Sequence, residues 1–219
     1  MKKSNALNAP FQPESFEFQD SKMVAEIFSR YPKGREHSGI MPLLDLAQRQ
    51  VAEIGPFGDY PTGGGWIPRA AMDKVAELCN VAPMKVYEVA TFYSMYNLEP
   101  VGKYLVQLCT TTPCWLCDAS SVVKACTDFL GIGMGQTTDD GYFTLMEVEC
   151  LGACTNAPMV QINDLYYEDL TAEKMVEILS KLKRDEIPPS GPQNGRRGSM
   201  AITGPTTLEE QAKKAGVAS

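Results

Sequence analysis

Seven cysteines stand at positions 79, 109, 114, 117, 126, 150 and 154. Five of them fall in two tight groups. The first is Cys109-Thr110-Thr111-Thr112-Pro113-Cys114-Trp115-Leu116-Cys117; the second is Cys150-Leu151-Gly152-Ala153-Cys154, continuing through Thr155-Asn156-Ala157-Pro158. Thiolates are soft ligands suited to iron–sulfur clusters, zinc or copper. A 2Fe–2S cluster takes four of them, two per iron, and a short loop can supply two because its ends stay close. Gly152 allows backbone to approach inorganic sulfide, and loop N–H groups can hydrogen-bond to sulfur and tune its potential.

Three other chemistries use the same residue types. Structural zinc pairs cysteines about two to four residues apart, which Cys150 and Cys154 satisfy and which Cys109 and Cys114 meet at the edge. Cys114 and Cys117 form a C-x-x-C that suits a thioredoxin-like disulfide, but that reading leaves Cys150 and Cys154 without a task. Cys109, Cys114 and Cys117 also match the start of a plant-type ferredoxin pattern, which needs one more distant cysteine and leaves either Cys150 or Cys154 spare. Spacing alone leaves these alternatives open. Cys79 and Cys126 lie on helical faces and are expected to be small buried hydrophobes.

The rest of the composition narrows the function class. An odd number of cysteines with no apolar stretch behind Met1-Lys2-Lys3 argues against a secreted disulfide framework. The Arg-rich amphipathic pattern of a mitochondrial transit peptide is not visible either. His37 is the sole histidine, which argues against a His-rich zinc or haem site and removes the commonest general base. No catalytic residue is assigned. With 20 basic and 27 acidic residues the net charge is −7, a poor match to nucleic acid. Hydrophobic content of 44% and charged content of 21% read as soluble and globular. No apolar run approaches the roughly 20 residues that span a bilayer. Gly131-Ile132-Gly133-Met134-Gly135 is not a dinucleotide fingerprint, because it follows a helix rather than a strand.

The elements that must position the cysteines can be read from periodicity. Residues 1–19 read as an extended polar arm. A short helix is expected over 21–31, with Val24, Ile27 and Phe28 on one face. A second carries Ile40, Leu43, Leu44, Ala47 and Val51. Residues 55–65 read as a Gly/Pro-rich loop. Pro68 suits the first turn of a third helix, with Met72, Val75, Ala76 and Cys79 inward. Pro83 starts a fourth, with Val86, Val89, Phe92 and Tyr93 on its face; core packing is expected for Phe92 and an interface edge for some of the tyrosines. After Pro100 the pattern changes. Strands are expected over 104–108, 143–148, 159–162 and 165–167, with helices over 120–130 and 173–182. The last helix is capped by Thr171. Both cysteine groups directly follow strands. From Ile187 the chain is expected to be irregular and to lie on a partner or stay mobile.

At this point Cys-Thr-Thr-Thr-Pro-Cys at 109–114 and Glu-Cys-Leu-Gly-Ala-Cys-Thr-Asn-Ala-Pro at 149–158 resemble the peripheral-arm 2Fe–2S subunit of complex I, often called the 24-kilodalton subunit. Leu44-Asp45-Leu46-Ala47-Gln48-Arg49-Gln50, the stretch from Val86 to Tyr93, and Met159 to Asp164 with Tyr167 to Leu170 extend the resemblance over roughly residues 15–200. The resemblance implies an α+β chain: an N-terminal helical bundle domain (20–98) behind the arm (1–19), then a thioredoxin-like 2Fe–2S ferredoxin domain (99–186) and an irregular tail (187–219). It implies that Cys109, Cys114, Cys150 and Cys154 ligate one 2Fe–2S cluster. It further implies an electron-transfer role in NADH oxidation, not catalytic alone, beside a partner subunit that holds FMN and the NADH site. The location implied is the matrix side of the mitochondrial inner membrane, or the cytoplasmic face of a bacterial membrane. NAD-linked hydrogenases and formate dehydrogenases carry related subunits. Cys117 and the length of the 51–65 loop depart from the family pattern.

Overall fold

The computed structural model describes residues 12–54, 65–204 and 207–216. The chain divides into two compact units. The first runs to Tyr104 and takes in Thr137–Thr144; the second comprises Leu105–Gln136 and Leu145 onward. The loop expected over 55–65 falls almost wholly outside the described residues, as does most of the N-terminal arm.

The first unit is built from α1 (Ser21–Ser29), α2 (Ile40–Ile54), α3 (Arg69–Leu78) and α4 (Pro83–Phe92), with a 3-10 turn over Glu36–Gly39 leading into α2. Asp20 caps α1 by accepting from the Met23 N–H at 2.9 Å. Apolar residues at helical spacing make one core: Leu43, Leu44 and Ala47 of α2, Ala71, Met72 and Val75 of α3, Val86 and Ala90 of α4. Cys79 joins that core, and burial pushes its thiol up to about 11, so it stays neutral. Gln50 is a buried polar side chain whose amide is satisfied by the arm: it accepts from the Gln19 N–H and donates to the Glu17 carbonyl, both at 2.8 Å.

Phe92 departs from expectation. It is 80% exposed. The inward face of α4 is set by Val86 and Ala90, four residues apart; Phe92 lies two residues beyond Ala90, about 200° round the helix. At Tyr93 the backbone turns extended and the helix ends.

A five-stranded sheet, most of whose residues belong to the second unit, has the order β2-β1-β3-β4-β5. The strands are β1 (Tyr104–Cys109), β2 (Phe143–Val148), β3 (Val160–Ile162), β4 (Leu165–Glu168) and β5 (Gly191–Pro192). β3 runs antiparallel to β1, with Leu108 opposite Val160, and β4 antiparallel to β3, with Val160 opposite Tyr167. Asn163, at φ 51°, turns β3 into β4, a conformation that asparagine tolerates better than most residues. α5 (Thr112–Leu116) and α6 (Ala119–Leu130) follow β1, and α7 (Ala172–Leu182) follows β4. Thr171 caps α7 through its hydroxyl, which accepts from the Lys174 N–H at 3.3 Å. Gly131, at φ 69°, ends α6. α6 and α7 pack together, with Val122, Cys126, Met175, Ile178 and Leu179 buried. Burial pushes the Cys126 thiol up to about 12.

The tail is not wholly irregular. β5 pairs in parallel with β4, Tyr167 opposite Gly191, and α8 (Glu209–Lys214) forms beyond it. The Tyr167 hydroxyl donates to the carbonyl of the buried Pro188 at 3.3 Å. No described helix is long and apolar enough to cross a membrane.

Candidate metal centre

Sheet register brings the two cysteine loops to one place. Cys109 is the last residue of β1, so it leaves the sheet at the end where β3 begins, because Leu108 pairs with Val160. The chain entering β3 has just formed a 3-10 turn over Cys154–Asn156. Cys114 sits on α5, whose first turn carries Pro113, where a missing N–H costs nothing. Gly152, at φ 86°, makes the turn between Cys150 and Cys154, a conformation that a side chain would strain. Cys109, Cys114, Ala119 and Met159 form a small buried cluster, with Leu151, Ala153, Ala157 and Tyr166 packed against it. Cys150 and Cys154 are exposed.

The four thiols engage one another in pairs. Cys150 Sγ lies 3.4 Å from Cys154 Sγ. Cys109 and Cys114 are near enough that each shifts the titration of the other. The pairs also feel each other, since Cys109 acts electrostatically on Cys150 and Cys154, and Cys154 on Cys114. In each pair the two thiols shift apart. Burial pushes the Cys109 thiol up, but hydrogen bonds from the Thr111 hydroxyl, the Thr111 and Leu151 N–H groups and Cys114 outweigh it, and the net shift is downward. Burial and then its neighbour Cys109 push Cys114 up to about 12. The Gly152 N–H, Cys154 and Thr111 lower Cys150, while hydrogen bonding to Cys150 raises Cys154. Each pair thus holds one sulfur ready to be a thiolate and a second that keeps the shared proton.

Sequence reasoning missed Thr111. Its Oγ1 lies 3.3 Å from Cys109 Sγ and it also hydrogen-bonds to Cys150, so one hydroxyl serves both loops. Thr110 donates to Glu147 of β2 at 2.6 Å, and Tyr166 of β4 donates to the Leu151 carbonyl at 2.8 Å. The run of three threonines between Cys109 and Pro113 was the visible signal; which hydroxyl turns to sulfur depends on the loop's path. Cys117 is exposed at the end of α5 and does not figure among the partners of the four other thiols.

The thiols stand as two pairs. No three described His, Cys, Asp or Glu side chains converge on one metal-ion position. A tetrahedral zinc site needs its ligands gathered round one point, whereas a 2Fe–2S cluster needs two thiolates at each of two irons. In metal-free protein, iodoacetamide is expected to modify Cys150 more than about tenfold faster than Cys114, because Cys150 is exposed and forms thiolate more readily. The Cys150 rate should rise with pH and level off below the ordinary thiol value. Mass spectrometry of timed, quenched samples reads both sites, and equal rates would contradict the paired-proton description.

Comparison with known proteins shows the family. Residues 24–183 match the thioredoxin-like 2Fe-2S ferredoxin family. The chain is 46% identical over 203 residues to mitochondrial NADH dehydrogenase (ubiquinone) flavoprotein 2 of Dictyostelium discoideum, covering 93% of this chain and 77% of that protein. It is 47% identical over 179 residues to a subunit of the NADH-quinone oxidoreductase of Rickettsia conorii, covering 82% of this chain and all (100%) of that one. Among solved structures, an NAD+-reducing NiFe-hydrogenase in its H2-reduced state matches in fold, with a TM-score of 0.55 at 17% identity over 70% of this chain and 23% of the hydrogenase chain. By the length of the family match and by these identities, the chain belongs to the thioredoxin-like 2Fe-2S ferredoxin family.

Proposed function

We propose that Cys109, Cys114, Cys150 and Cys154 hold one 2Fe–2S cluster and that the chain is an electron-carrying subunit of an NADH:ubiquinone oxidoreductase, complex I. The observation that carries this reading is the meeting of four thiols, in two pairs from two loops, at one end of the sheet of a 2Fe-2S ferredoxin family member. Cys109 with Cys114 would serve one iron and Cys150 with Cys154 the other. When bound, the cluster supplies one-electron chemistry.

The chain's own residues do the rest. The Leu151 N–H donates to the sulfur of Cys109 and the Gly152 N–H to that of Cys150, and the Thr111 hydroxyl gives its one proton to either, and so these groups stabilise the anionic ligands. Met159, Ala119 and the loop apolar residues keep water from Cys109 and Cys114. FMN and the NADH site belong to a partner subunit. The relatives' names tie them to NADH oxidation: one is called a flavoprotein of NADH dehydrogenase and another a subunit of an NADH-quinone oxidoreductase. The assembly lies on the matrix face of the mitochondrial inner membrane, with the cytoplasmic face of a bacterial membrane as the alternative. The helical residues 20–98 and the segment after 187 supply the docking contacts. Exposed Phe92, Tyr93 and Met95 are suited to that task.

Two measurements test the reading. Replacing any of Cys109, Cys114, Cys150 or Cys154 by Ser should abolish or strongly alter the electron paramagnetic resonance signal of the reduced cluster, while Cys117→Ser leaves it nearly intact. Loss in Cys117→Ser with retention in Cys150→Ser or Cys154→Ser would overturn the ligand set. NADH–ferricyanide turnover should be absent from the isolated chain and appear with the FMN-bearing partner; turnover by the chain alone would contradict an electron carrier.

A further inference from the structure

A buried ion pair ties the tail to the loop that carries Cys154. Arg196 Nη2 donates to Asp169 Oδ1 at 2.8 Å, with side chains only 17% and 6% exposed. The same guanidinium donates through Nη1 to the carbonyl of Thr155 at 3.1 Å, and Thr155 is the residue after Cys154. Asn156, itself 1% exposed, closes the arrangement. Its Nδ2 donates to Asp169 Oδ2 at 3.1 Å and to the Gly198 carbonyl at 3.0 Å. The Asp169 N–H donates in turn to the Asn156 carbonyl at 2.8 Å. Asp169 holds φ 52°, an unusual conformation for a residue with a side chain. β5 brings the tail alongside: the Gln193 N–H donates to the Glu168 carbonyl at 2.9 Å.

This latch does two things at once. It clamps both residues that follow Cys154 in the 3-10 turn, which fixes where the sulfur points. It also places a cation and an anion of opposite effect under cover on the two residues that follow Cys154, where water screens them poorly. Arginine stays charged in proteins, so the cation is permanent. The extra electron of a reduced cluster is stabilised by a nearby positive charge and destabilised by a negative one.

We propose that Arg196 and Asp169 are positioning residues for Cys154 that also set the reduction potential of the cluster, so that residues 191–198 are part of the metal centre. This rests on Cys154 being a ligand. The test uses the full chain loaded with iron and sulfide, and a redox titration followed by electron paramagnetic resonance. Asp169→Asn keeps the cation and removes the anion, so the midpoint potential rises. Arg196→Gln keeps the anion and removes the cation, so it falls. Arg196→Lys keeps the charge but loses the two-pronged geometry, so its potential stays near wild type.

Release of iron to a chelator reads the clamp separately. It should quicken in both Arg196→Lys and Arg196→Gln, within the roughly 10–100-fold range over which such outer partners act on metal affinity. A purely structural latch would move the Asp169→Asn and Arg196→Gln potentials the same way or not at all, and either result overturns the electrostatic role. Unchanged iron release in both Arg196 variants overturns the clamp. If wild-type protein gives no cluster signal, or Cys154→Ser leaves the signal intact, the failure lies with the ligand assignment instead.

Discussion

Four thiols gathered at one sheet end can all ionise only if cations sit among them. That constraint governs the second unit. The two pairs relieve it without metal by sharing protons: Cys109 and Cys150 are lowered, while Cys114, at about 12, and Cys154 are raised. Iron binding at the proposed site would displace the shared protons, which would link loading to pH and to the folding of the loops. The hydrogen-bond donors are placed accordingly. Thr111, Leu151 and Gly152 give to Cys109 and Cys150, the two sulfurs that reach thiolate first.

Burial is uneven across the site, and this shapes its chemistry. Cys109 and Cys114 are covered by Ala119 and Met159, while Cys150 and Cys154 face solvent. In the proposed cluster one iron is therefore shielded and the other lies near the surface. Burial disfavours net charge at the first, and a partner can approach the second. The sheet makes both ends rigid. β1 fixes Cys109, and β4 holds the loop between Cys150 and Cys154 through the hydrogen bond from Tyr166 to the Leu151 carbonyl. Precision at the proposed cluster would thus come from strands rather than from the loops that carry the cysteines.

Much of this was legible in the sequence, for physical reasons. Helical period placed Leu43, Leu44 and Ala47 inside because α2 buries one stripe, and Pro83 marked the first residue of α4. The cysteines were legible because few other uses fit two thiol pairs after two strands. What was not legible depends on tertiary contact. Phe92 has helical spacing from Val89, yet α4 buries a narrower stripe and stops at Phe92, so the ring is left outside. The segment after 187 has the composition of a loose tail, but Asn156, Asp169 and Arg196 hold it. That network joins residues 27 positions apart in Arg196–Asp169 and 42 in Asn156–Gly198. Thr111 was hidden among three equivalent threonines until the loop's path selected it.

The central claim is that the four cysteines hold an iron–sulfur cluster rather than a single structural ion. Metal and acid-labile sulfide analysis of the purified chain, read beside its visible spectrum, tests this most directly. The account predicts about two irons and two sulfides per chain and a coloured protein that bleaches on reduction. A colourless protein holding about one zinc and no sulfide would contradict it.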